Sequence, residues 1–175
     1  RTFIIIKPDG VQWSLIGEVV KRIERSGLKI AGMKMLVPDK DRLITHYGKD
    51  DAWCEQKGQQ RIENMKKNGI NPDKTALEYG RGIIDALVNY MTVGPVVAMV
   101  VEGYHAVAII RKIVGGTEPL TSDVGTIRGD LTIDSYESSD QAGRAVRNII
   151  HASDSTEASA REIGIWFKPE EVISY

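Results

Sequence analysis

The chain is predicted to fold as an α/β sandwich, one sheet covered by helices. Few strand-like runs occur, and the segments between them carry apolar residues at helical spacing. The chain has 175 residues, 42% of them hydrophobic, enough for one well-buried core and so for a single domain over 1–175.

The elements follow in order. "TFIIIK" (2–7) is a short β-branched run and reads as a buried strand, and "PDG" after it reads as a turn. In "SLIGEVVKRIERSG", Ile16, Val19, Val20 and Ile23 fall on one helical face, with Ser14 as the expected N-cap and Gly27 as the stop. "LKIAGMKMLV" (28–37) alternates roughly and reads as a strand ended by Pro38, and 39–47 as a short helix. Residues 48–80 are polar and rich in Lys, Gln and Asn. They read as helical pieces with a turn at 68–73, a surface excursion rather than core. "RGIIDALVNYMT" (81–92) reads as an amphipathic helix, "GPVVAMVVEG" (94–103) as a buried strand, and "HAVAIIRKIVGG" (105–116) as a helix closed by glycine. A long loop rich in Thr, Ser, Asp and Gly is expected over 116–137, then a helix over "SSDQAGRAVR". "NIIH" reads as a short strand, and "SDSTEASAREIGIWF" as a helix capped by Asp154 or Ser155.

Composition excludes several function classes. With 23 basic and 24 acidic residues the formal net charge is −1, which argues against a dedicated binder of nucleic acid or anionic membrane. The single cysteine allows neither an intramolecular disulfide nor a cysteine zinc site, and points to a reducing compartment. No apolar run is long enough to span a bilayer and no signal-peptide pattern opens the chain, so a cytoplasmic location is expected.

The chemistry-bearing candidates lie at the ends of elements. The GxxxxGK(S/T) and GxGxxG phosphate loops are absent, so side chains would have to hold any phosphate. Lys7 ends the first strand, Arg111 lies in the helix after the third, and Arg128 stands between two glycines in "GTIRGD". Each supplies charge and donors for phosphate oxygens, and each taken alone also reads as a solvated surface cation. Thr117 and Thr126 add hydroxyls. Of the three histidines, His46 reads as exposed on a polar helix and His105 as packing with Tyr104 near a helix start. His151 ends a strand just before a helix N-terminus, an edge that active sites of α/β folds favour. Imidazole there serves as base, ligand or nucleophile, and the bland alternative is a structural histidine. Ser153 and Glu162 are placed to orient the ring, and Asn148 is expected to share a strand face with it.

"TFIIIKPDGVQ", "GPVVAMVVEG", "GTIRGD", "RNIIHASDS" and "EIGIWFKPEE" together closely resemble, in order, the nucleoside diphosphate kinase family. The resemblance covers nearly the whole chain apart from two extra stretches, a helical insertion at about 48–80 and a loop insertion at about 131–145. It implies a ferredoxin-like βαββαβ fold with a four-stranded antiparallel sheet. It further implies a ping-pong transfer of the γ-phosphoryl group from a nucleoside triphosphate (typically ATP) to a nucleoside diphosphate such as GDP, maintaining NTP and dNTP pools. By motif, His151 would be the phosphorylated nucleophile, positioned by Ser153 and Glu162. Lys7, Tyr47, Arg111, Thr117, Arg128 and Asn148 would hold phosphates and ribose. Mg²⁺ would arrive on the nucleotide rather than in a protein cage. The family implies a homo-oligomer, hexamer or tetramer, built from dimers. Neutral imidazole is required, so activity should fall as pH drops through the histidine pKa.

Two further departures qualify the resemblance. "VQWSL" stands where the family usually has "VQRGL", so Trp13 and Ser14 alter a surface or subunit contact. The usual "RPFF" reads "RGII", which leaves Ile83 in the place of the base-stacking aromatic. Either an aliphatic face takes over or an aromatic such as Trp53 does. The competing readings are a nucleotide-binding regulatory or scaffolding relative with weak activity, against which the intact His151, Lys7, Arg128 and Glu162 speak, and an RNA-binding sheet, against which the charge and the 6% aromatic content speak.

Overall fold

The computed structural model describes residues 1–67 and 69–175. Strands β1 (Thr2–Ile6), β2 (Lys29–Leu36), β3 (Val96–Glu102) and β4 (Ile150–Ala152) form an antiparallel sheet in the order β2-β3-β1-β4. That order, with helices crossing between the strands, is the ferredoxin-like arrangement that the resemblance implies. The central strands β1 and β3 are buried on both faces, which is why "FIII" and "VVAMVV" run without polar alternation.

Alternation divides the core in two. Ile4, Ile6, Val97, Met99 and Val101 face helices α2 (Ile16–Glu24) and α6 (Ala106–Val114), where Val19, Ile23, Ile110 and Val114 are buried. Phe3, Ile5, Ala98 and Val100 face the opposite layer, with Leu43 of α3 (Lys40–Tyr47), Val88 and Met91 of α5 (Ala76–Met91), and Trp166 of α9 (Thr156–Trp166). Each fully buried aliphatic side chain contributes about 1.5–3 kcal/mol. This double core is what supports the polar burial described below.

Several local expectations are corrected. "PDG" is not a free turn but opens a short helix, α1 (Pro8–Gln12), because Pro8 at the first helical positions needs no N–H partner. Ser14 does not cap α2: it sits at φ 59, and Leu15 holds the N-cap position without a side-chain bond. Gly27 does stop the helix, at φ 82. Of the expected turn at 68–73, Asn68 lies outside the described residues; its other residues fall between α4 (Asp51–Lys67) and α5. The long loop contains α7 (Ile127–Leu131), capped by Thr126 accepting from the Gly129 N–H at 3.1 Å. The helix expected over 138–147 is α8 (Tyr136–Gln141) instead, ending where Gly143 turns to φ 61. Tyr104 and His105 do not pack: both are exposed, and His105 stands at φ 54 before α6.

Helix α4 is mostly solvent-facing, as its composition implies, yet it is held tightly. A Cβ on Gly58 would stand 1.7 Å from the Ala76 carbonyl oxygen, and one on Gly80 would stand 1.9 Å from that of Cys54. Only glycine lets the backbones of α4 and α5 approach this closely. Among the described residues no helix is long and apolar enough to cross a membrane.

Candidate active site

Chain geometry brings the histidine to the sheet edge with an interrupted pleat. Asn148 stands three positions before His151, so strict alternation would put the two on opposite faces. The expectation of a shared strand face therefore fails as stated. Asn148 precedes β4 and reaches the site because Ile149, fully buried, adopts φ 66. A β-branched residue rarely takes that conformation, and it costs on the order of 1–3 kcal/mol. Three contacts hold it. The Ile149 N–H donates to Asp9 Oδ2 at 3.0 Å, the Ile149 carbonyl accepts from the Lys7 N–H at 2.7 Å, and Gly10 leaves room for its side chain. Asp9 is thus a site residue that the sequence reading missed. Its signal was position, two residues after Lys7 in "KPDG".

Asn148 organises the basic residues. Its Oδ1 accepts from Lys7 Nζ at 2.7 Å, its Nδ2 donates to the Thr117 carbonyl at 2.8 Å, and its carbonyl accepts from Arg128 Nε at 3.2 Å. Arg128 also donates to the carbonyls of Gly115, Gly116 and Ile150. It is therefore a buried, positioned guanidinium and not a solvated surface cation. Burial, reinforced by Arg128, lowers the Lys7 pKa to about 7, and burial, reinforced by Arg111, lowers that of Arg128 to about 10. Cations crowded this way, offset only in part by Asp9, form a bed for an anion. Arg111 itself opens on a cleft of about 660 Å³ shared with His105, Asp154 and Thr156.

His151 has about a fifth of its side chain exposed, and its Nε2 lies 2.8 Å from Glu162 Oε2. Ser153 Oγ donates to the same oxygen at 2.7 Å, so Ser153 reaches the histidine through Glu162 rather than directly. Burial opposes the Glu162 charge, yet the bonds from His151 and Ser153 hold its pKa down at about 2. An ionised carboxylate only accepts, so His151 carries its proton on Nε2 and leaves the Nδ1 lone pair free. Burial, outweighing Glu162, lowers the His151 pKa and favours the neutral ring. Tyr47 stands beside it, ring centroids 6.1 Å apart, with a buried hydroxyl that has no hydrogen-bond partner among the described residues.

Two sequence-named residues stay outside this cluster. Ile83 is half-buried on α5, and Trp53 is half-buried near the start of α4, where its backbone N–H donates to Asp50 Oδ1. His46, expected to be exposed, is 2% exposed and packs against His151. The polar neighbours of α3 in sequence hid the fact that its Leu43–His46–Tyr47 side faces α9. Among the described residues, His46, His151 and Glu162 are the one group of three ligand-type side chains within range of a common ion. Two nitrogens and a single oxygen, already hydrogen-bonded, do not fit Mg²⁺, which demands oxygen ligands.

A ferredoxin-like sheet that presents a neutral histidine to a bed of buried cations defines a phosphotransferase. A family model described as nucleoside diphosphate kinase matches residues 1–56 and 56–172. The chain belongs to the nucleoside diphosphate kinase family and is an enzyme of that kind, a nucleotide-binding phosphotransferase. It is 42% identical over 178 residues to a nucleoside diphosphate kinase of Pyrobaculum aerophilum, covering 99% of this chain and 97% of that one. To nucleoside diphosphate kinase B of Rattus norvegicus it is 42% identical over 175 residues, covering 100% and 90%. A solved NDP kinase from Pyrobaculum aerophilum superposes with a TM-score of 0.94 at 40% identity, covering 99% and 98% of the two chains. A transition-state mimic of the Borrelia burgdorferi enzyme, with bound vanadate and ADP, gives 0.81 at 34% identity, covering 99% and 90%.

Proposed function

We propose that this chain moves the γ-phosphoryl group from a nucleoside triphosphate to a nucleoside diphosphate through a phosphohistidine at Nδ1 of His151. One observation carries the reading: Glu162 occupies Nε2 at 2.8 Å, which leaves Nδ1 as the free nucleophile beside Lys7, Arg128 and Tyr47. In the first half-reaction the Nδ1 lone pair attacks the γ-phosphorus. The P–N bond forms as the bond from phosphorus to the β–γ bridging oxygen breaks, and the diphosphate leaves with that electron pair. The ring gains positive charge, which Nε2–H shares with the Glu162 carboxylate, so no proton needs to leave. A second diphosphate reverses these steps. Such transfers need positioning and charge stabilisation more than covalent help from the protein. Lys7, Arg111 and Arg128 meet the phosphate charge, the Tyr47 hydroxyl and Thr117 supply donors, and Asn148 holds the cations in place while facing the ribose.

Family membership brings a divalent cation to the reaction. We assign it as Mg²⁺ carried on the nucleotide phosphates. Vanadate and ADP bound to the Borrelia relative support the same ligand class here. A homo-oligomer built on dimers, hexameric or tetrameric, is supported by β2, an edge strand whose Met33 and Met35 are exposed. The stretches 48–80 and 131–145 are read as additions to a single kinase domain, Ile83 as the residue facing the base, and the location as cytoplasmic, in keeping with the free, buried Cys54.

The test is incubation with γ-labelled ATP. An acid-labile, alkali-stable phosphoprotein should form and pass its label to GDP. If His151→Gln still takes up and passes on label, the assignment of the nucleophile is wrong.

A further inference from the structure

One buried donor has no task in this mechanism. Trp166 Nε1–H donates to His46 Nδ1 at 3.2 Å. An indole nitrogen is a donor only, so Nδ1 must present its lone pair, and the neutral His46 ring carries its proton on Nε2. Nε2 is buried and has no hydrogen-bond partner among the described residues. Burial, followed by repulsion from His151, pushes the His46 pKa down to about 3, so the ring is neutral wherever the enzyme works. The proton cannot move to Nδ1 without setting two donors against each other at the indole. Folded proteins rarely leave such an N–H unpaired unless something else binds it.

Its surroundings point to what that is. The His46 and His151 rings meet edge to face with centroids 4.7 Å apart. A ring nitrogen of each lies within 4.8 Å of the other and of a Glu162 carboxylate oxygen. Arg161 clamps the end of α3 to α9 by donating to the carbonyls of Thr45 and His46, so the ring is held from its backbone as well as from Trp166. A metal ion shared by the three side chains would need the Nε2 lone pair, which the Trp166 bond denies. An acceptor arriving on His151 needs only the N–H already there.

We propose that His46 is a further catalytic residue, whose Nε2–H donates to an oxygen of the phosphoryl group carried by His151. The proposal rests on His151 being the phosphorylated residue. Hydrogen bonds to charged acceptors are the strong class, so losing this one should shift the phosphoenzyme equilibrium by roughly tenfold or more.

The experiment titrates wild type, His46→Leu and His46→Gln with γ-labelled ATP at fixed ATP:ADP ratios and reads the phosphorylated fraction. His46→Leu should lose about tenfold in the phosphorylation equilibrium, with ATP affinity changed by less than about twofold. His46→Gln, which keeps an N–H donor and an acceptor for Trp166, should recover most of the loss. A His46→Leu enzyme that phosphorylates like wild type overturns the proposal. Should the variants fail to fold, imidazole ¹⁵N–¹H spectra of the wild type decide it: the His46 Nε2–H signal must move downfield when His151 is phosphorylated, and an unmoved signal overturns it. Wild-type label that survives in His151→Gln defeats the underlying reading instead, so the two failures are distinguishable.

Discussion

Helix α5 takes part in two regions built on opposite principles. Near its C-terminus the Tyr90 ring lies 5.5 Å from Lys7 Nζ, at the edge of a cluster where buried polar groups converge on His151. Near its N-terminus Gly80 lets bare backbone of α4 pack against bare backbone of α5. The histidine cluster buries Lys7, Asp9, Arg128, Asn148 and Glu162 and holds Ile149 in a strained conformation. Each of these features costs stability, which the apolar sheet beneath offsets. The hairpin buries almost no functional groups, and its close approach is a source of stability alone. Changes at the first region should therefore act on chemistry, and changes at the second on folding.

The largest expected effect falls on the histidine. Glu162→Gln keeps the shape but replaces the acceptor that fixes the His151 tautomer and stabilises its charge. The phosphorylation rate should fall by about 10²–10⁴-fold while the thermal midpoint stays close to wild type. Single-turnover labelling beside a melting curve measures both, and a variant that melts early with normal turnover would reverse the comparison. Next comes Gly80→Ala. Its methyl group would meet the Cys54 carbonyl, so α4 must shift, at a cost of about 1–3 kcal/mol. Denaturant unfolding should show that loss, and the turnover of folded enzyme should be unchanged.

The same contrast decides what could be read in the chain. The β1 and β3 runs announced buried strands because burial on both faces demands uninterrupted apolar residues. The stop at Gly27 was legible for a similarly local reason. That His151, Ser153 and Glu162 come together was legible because they lie near one another in sequence, around a single strand-to-helix turn. Asp9 and His46 were not, because their partners Ile149 and Trp166 are far away in the chain. A polar helix in sequence says nothing about which of its sides meets another element. The strained φ of Ile149 was equally invisible, since isoleucine gives no local reason to adopt it. The glycines of the hairpin could be seen but not interpreted, because each serves a backbone that arrives from elsewhere.

A smaller effect sharpens the description of the cluster. The Lys7 pKa lies at about 7, against an ordinary 10.5. Between those values the unfolded chain holds a proton that the folded one lacks, so this group makes the free enzyme more stable as pH rises through the window. A bound nucleotide brings the negative charge that restores the ammonium. At pH 8 binding of ADP should take up close to one proton, roughly nine-tenths if Lys7 alone responds. Calorimetry in buffers of differing ionisation enthalpy counts it, and Lys7→Met should abolish the uptake. Equal heats in all buffers would show that Lys7 is already charged before the nucleotide arrives.

The smallest expected effect concerns an ion pair that ties α4 to α8. Arg61 Nη2 lies 3.0 Å from Asp140 Oδ1, and the guanidinium also lies over the Tyr79 ring at 5.6 Å. Asp140 is half-exposed, so solvent screens the pair and its contribution should be about 0–1 kcal/mol, shrinking as salt is added. Arg61→Gln removes the charge, whereas Arg61→Lys keeps it but loses the flat face against Tyr79. If packing on Tyr79 matters more than charge, the two variants should lose the same few tenths of a kcal/mol, and neither should alter turnover. A loss of several kcal/mol, or a fall in phosphorylation rate, would mean that α4 and α8 transmit strain toward Arg128 and Asn148. The hairpin would then be part of the catalytic machinery rather than its scaffold.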